Sequence, residues 1–236
     1  MSLLNKLLEE KEQYQFGIYW ILQINFAQES LALMDMDWNL KDIMQVYIEK
    51  ESGEFNGFTD IRNEKSMMWI YLHFNLFDRM LTRLLDASSS LINLSSIEQD
   101  LIYIRSQLFQ KRFKKNIENK VIYIESSPKQ QLSQLKTQID NYNKLSKPSL
   151  KDIIVIHQDI VELLRLDLGA ACLARMLVFG ECLRLNLIPP IIPNQFYNEY
   201  KEGIEGKSRS QIKEMQILFE EGQIHTKNLL EQMNMI

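Results

Sequence analysis

Residues 157–193 read HQDIVELLRLDLGAACLARMLVFGECLRLNLIPPIIP, the longest sustained apolar stretch of the chain. Aliphatic residues recur at helical spacing on both sides of Gly169, which predicts two core helices, 150–163 and 170–187, separated or kinked at that glycine. Pro189, Pro190 and Pro193 force an extended exit, because proline has no N–H to donate and disfavours helix in the residue before it. Ser149 caps the first of these helices, with Asp152 as an acidic stand-in for the Glu of a capping box. The fold is decided here: a buried helix pair around which other helices must pack.

The surrounding sequence is helical in character. Only 8 glycines and 5 prolines occur in 236 residues, and helix interiors exclude both. Residues 2–14 form a short amphipathic helix, and 17–34 a more apolar one whose Tyr19, Trp20 and Phe26 fill a core rather than a binding cage. Further helices are expected at 40–50, 60–86, 96–110, 128–145, 194–204 and 208–234. The helix at 60–86 is apolar around most of its circumference and is expected to be central. Its His73, like His157 in the core pair, reads as a packed or hydrogen-bonded core residue. One β signal stands out: Val121, Ile122, Tyr123 and Ile124 are β-branched or aromatic, and with 113–117 they predict a short hairpin at about 112–124. Two strands are marginal in water, so the hairpin has to lean on helices.

Charge and cysteine usage bound the function classes. The formal net charge of −4 supplies no field for a polyanion, and nucleic acid is the least supported partner. Cys172 and Cys182 lie ten residues apart in one predicted helix, about 15 Å of rise, too far for a disulfide. They are read as reduced, and the protein as cytoplasmic. No stretch has the length of a transmembrane helix.

From about residue 60 to 235 the order of features resembles the Fic family. The resemblance rests on KVIYIESSPKQQL between hairpin and helix, IHQDIVELL before the central helix, NLIPPIIP after it, and YNEYKEGIEG in the trailing helix. It implies a mainly α, Fic-like bundle around a central helix at about 170–187 with a hairpin flap at about 112–124. Residues 1–58 would be a helical N-terminal extension and 59–236 the Fic-like domain, together one compact unit. Active members of that family transfer AMP or another phosphate-containing group to protein hydroxyls through the motif H-x-F-x-[DE]-G-N-G-R-x-x-R.

Residues 164–175 occupy the motif, and only Gly169 and Arg175 match it. Leu164 stands in the slot of the histidine base and has no ionisable group. Leu168 stands where an acid would hold Mg²⁺, and an aliphatic chain offers a hard cation no oxygen. Ala170 and Ala171 replace the Asn-Gly of the anion nest, and Cys172 replaces a bidentate arginine. Members of the family are often restrained by an acid that pairs with the second motif arginine, here Arg175. Glu98 and Glu214 are the two candidates for that acid.

The sequence therefore predicts a catalytically degenerate Fic-like protein that binds or scaffolds a protein partner, with no cofactor and no metal. The alternative is a divergent nucleotide-dependent transferase using ATP and Mg²⁺. It would hold phosphate through the amides of Gly169, Ala170, Ala171 and Cys172, with Arg175 and the basic run Lys111, Arg112, Lys114 and Lys115. A third reading sets the resemblance aside: a helical interaction protein with an adaptable methionine surface that includes Met233 and Met235. Self-association is compatible with all three.

Overall fold

A computed structural model of the chain describes residues 2–11, 17–34, 36, 38–52, 64–85, 92–109, 129–164, 169–204 and 209–232. They are mainly helical, with ten α-helices and one 3₁₀ turn among the described residues. In chain order these are α1 (Leu3–Lys11), α2 (Ile18–Ala32), α3 (Leu40–Ser52), α4 (Glu64–Leu85) and α5 (Leu94–Phe109). They continue with α6 (Lys129–Asn143), α7 (Leu150–Leu163), α8 (Ala170–Arg184), the 3₁₀ turn Asn194–Phe196, α9 (Tyr197–Gly203) and α10 (Arg209–Gln232). The hairpin expected at about 112–124, with Val121, Ile122, Tyr123 and Ile124, lies outside the described residues.

The helix at the centre is α8. Every residue from Cys172 to Leu183 is buried, as is Ala170, so α8 is enclosed on all sides as an apolar helix must be. It packs against α7, α4 and α5, while α6 and α10 cover α7. The helix α4, expected to be central, keeps Thr82 exposed and Asp78 and Arg79 half-buried along one side. Its apolar side faces α8, α2 and α3. Stacked and edge-to-face rings tie these helices together: Phe26 of α2 lies 4.7 Å from Phe179 of α8, and Phe77 of α4 lies 5.3 Å from it. The core runs continuously from Leu7 to Leu230.

The ends of the core pair follow local chemistry. Ser149 caps α7 with a full capping box: its hydroxyl accepts from the Asp152 N–H, and the Asp152 carboxylate accepts from the Ser149 N–H at 2.8 Å. The expectation of a helix to 187 overshoots, because α8 stops at Arg184. Asn186 enters the left-handed region at φ 57°, the Asn186 N–H donates to the Leu183 carbonyl and the Leu187 N–H to the Cys182 carbonyl. This is a Schellman ending with asparagine in the usual glycine place.

Beyond it the proline-rich exit lies across α10. The Gln223 amide donates to the Ile188 carbonyl at 2.6 Å, and the Ile191 N–H donates to the Thr226 hydroxyl at 3.1 Å. A Cβ on Gly222 would come within 3.0 Å of the Pro190 Cβ, so the close approach depends on glycine there.

Candidate functional site

Among the described residues eleven polar or charged ones are buried, and four of them, together with Tyr200, gather around the guanidinium of a fifth. Arg175, 5 % exposed, is carried by the central helix α8. Its Nη2 donates to the Ser30 carbonyl of α2 at 3.3 Å, and its guanidinium carbon lies 6.0 Å from the centre of the Tyr200 ring of α9. The Tyr200 hydroxyl shares a 2.8 Å hydrogen bond with Nε2 of His157 on α7. Nε2 of His73 on α4 shares one of 3.2 Å with the Ser30 hydroxyl. Glu29 of α2 completes the cluster, accepting from the backbone N–H of Ile192 in the exit segment. Five helices and the exit thus supply one polar centre inside an apolar bundle.

Burial sets the protonation of this centre. It pushes the Glu29 carboxyl up to about 8, against the pull of the Arg175 guanidinium and the Ile192 N–H. It pushes His73 and His157 down to about 3, and the positive charge of Arg175 adds to both shifts. The Cys172 thiol and the Tyr200 and Tyr197 phenols are raised by the same loss of solvent. Around neutral pH the histidines, thiol and phenols are therefore uncharged, and Arg175 is the fixed charge of the cluster.

The expected site residues fall partly inside this centre and partly elsewhere. Leu164, in the slot of the family's base, is the C-cap of α7 and is wholly buried in the apolar core. Gly169 is the N-cap of α8, with φ 88° in the left-handed region. A Cβ there would lie 2.9 Å from Ile104 Cγ2, so both conformation and space call for glycine. Ala170 and Cys172 are buried and Ala171 is half-buried on the first turn. Leu168 and the basic run 111–115 lie outside the described residues. Of the two expected restraining acids, Glu98 is half-buried on α5 and Glu214 is exposed on α10. The carboxyl that acts on Arg175 is Glu29, a residue that the sequence reading did not single out. Its signal was present: Glu29 is the one charged residue in α2, a helix with eleven buried residues.

Among the described residues no group of three His, Cys, Asp or Glu side chains is placed to hold a metal ion. None of the described helices is long and apolar enough to cross a membrane. Fold and cluster together define a class: a helical bundle whose polar centre, built on Arg175, is sealed from solvent. No model of a known protein family matches the chain, and no curated protein matches it.

Proposed function

We propose that the chain is a catalytically silent, Fic-like domain that acts by binding or scaffolding a protein partner in the cytosol. In this reading α8 is the central Fic helix, 112–124 is the flap, and no nucleotide or metal takes part. The observation that carries it is the state of the two decisive positions. Leu164, where the base would act, is fully buried, and Arg175, the one motif arginine kept, is turned onto a backbone carbonyl and a tyrosine ring. A base must reach the hydroxyl it deprotonates, and an aliphatic side chain in a core reaches nothing.

Glu29 supports the same reading. It supplies from α2 the acid that the resemblance expects opposite the second motif arginine, in place of Glu98 or Glu214. With α2 packed over Arg175, the phosphate donor of the motif is covered by protein.

Calorimetric titration with ATP, ADP and a CDP-linked compound, each with and without Mg²⁺, tests the reading together with transfer of labelled AMP onto a lysate. No heat at millimolar ligand and no labelled protein are expected. Saturable heat that disappears in Arg175→Ala would instead establish the divergent transferase using ATP and Mg²⁺.

A further inference from the structure

The most deeply buried acids among the described residues, Glu29, Asp100 and Glu181, are solvated in different ways. Asp100 is held by Arg79 at 2.9 Å and by Arg83, and Glu181 by Arg184 at 2.7 Å and by the Tyr142 hydroxyl at 2.8 Å. Glu29 is 1 % exposed, yet its Oε2 has no hydrogen-bond partner and its one donor is the Ile192 N–H. Arg175 stands in the same cluster but spends its Nη2 on the Ser30 carbonyl, and its Nε is unpaired. A carboxylate so placed has lost water without gaining an ion pair, whereas a neutral carboxylic acid is tolerated there.

We infer that Glu29 is an internal proton site: the folded chain holds it as the neutral acid at neutral pH, and its ionisation loosens α2 from α8. The inference does not depend on the proposed function. The groups facing Glu29 come from every neighbouring element. They are Ser30 beside it, Cys172 and Arg175 of α8, Tyr197 and Tyr200 of α9, and the Ile192 N–H, with His73 of α4 and His157 of α7 behind them, bonded to Ser30 and Tyr200. Of these only Arg175 bears charge at neutral pH, and its attraction is outweighed by burial.

The sign follows from linkage. A carboxyl whose folded value, about 8, lies above its ordinary 4.5 binds its proton more tightly in the folded chain. The stability it contributes is complete below 4.5 and is lost as pH rises through 8. His73 and His157 act in the opposite sense around and below 6.5 and fade over about one unit above it, and the cysteine thiols enter towards 9. Between 7 and 8 Glu29 is therefore the leading contributor.

Thermal unfolding of the full chain between pH 7 and 8 tests this, comparing wild type with Glu29→Gln and Arg175→Met. In wild type Tm falls with rising pH by about 2–3 °C per unit. Glu29→Gln flattens that limb, and Arg175→Met moves it to higher pH because the attraction of the guanidinium is gone. Infrared spectroscopy adds a direct reading at neutral pH: a buried protonated carboxyl band that titrates away by about pH 9 and shifts in Glu29→Asp. A flat wild-type limb, a limb unchanged in Glu29→Gln, or the lack of that band at neutral pH overturns the proposal.

Discussion

Gly169 carries two constraints at one residue. Its φ of 88° is strained for any L side chain, by about 1–2 kcal/mol, and a Cβ would press on Ile104 and Trp69. Gly169→Ala is accordingly expected to destabilise the chain by about 1–3 kcal/mol even after the smaller entropy of its unfolded state is counted. Urea unfolding at neutral pH reads this directly; unchanged stability would mean that the turn into α8 relaxes freely. Leu164 gives the complementary case. Leu164→His restores the residue type of the family's base but sets a polar ring where a leucine is fully buried. A loss of about 2–4 kcal/mol is expected, with no labelled transfer. A stable Leu164→His chain that transfers AMP would show that the position can open to substrate.

Among the elements, α6 and the exit segment owe their placement to a few polar contacts. The helix α6 is mostly exposed and is anchored by Leu135, Ile139 and Tyr142. The Tyr142 hydroxyl reaches Glu181, a carboxylate with no exposure, at 2.8 Å. Tyr142→Phe is expected to cost about 1–2 kcal/mol, less than deletion of the acid because Arg184 still satisfies Glu181. Faster amide exchange along α6 than along α7 would locate the effect.

At this scale the sequence was most informative. The apolar period of 3.6 and the Ser149–Asp152 box announced α7, and the apolar run announced α8, because each is a local property of ten to twenty residues. The end of α8 was not announced, since apolar residues continue to Ile188 while the backbone reverses at Asn186. The central place of 170–187 was legible, whereas the expectation for α4 overreached: α8 is apolar and buried on every side, while α4 keeps Thr82 exposed and Asp78 and Arg79 half-buried.

For the whole molecule the main consequence of the polar centre is a stability that depends on pH in both directions. His73 and His157 sit near 3 in the folded chain, against an ordinary 6.5. The unfolded chain takes up those protons first, so stability is expected to fall as pH drops from 6.5 towards 3. Each histidine adds a slope of up to about 1.4 kcal/mol per unit. His157→Gln should remove one of the two contributions, seen as a shallower dependence of the urea midpoint between pH 6.5 and 4.5. An unchanged slope would mean that His157 titrates alike in both states. The sequence showed two histidines in apolar helices, enough to read them as core residues. It could not show that they gather around Arg175 with Ser30 and Tyr200, because the Arg175–Ser30 contact alone joins positions 145 residues apart and leaves no periodic trace.

The exit segment bears on how the chain comes apart. Pro190 and Pro193 keep Ile191 and Ile192 extended between them, and successive amides of an extended strand point to opposite sides. The Ile191 N–H goes to Thr226 and Gly222 of the last described helix, and the Ile192 N–H goes to Glu29 near the start. Two adjacent amide protons thus report on regions separated by almost two hundred positions. If the bundle opens as one unit, both exchange with solvent at the same slow rate. If α10 peels away first, Ile191 exchanges ahead of Ile192, so this one dipeptide distinguishes fraying at one end of the chain from loss of the whole.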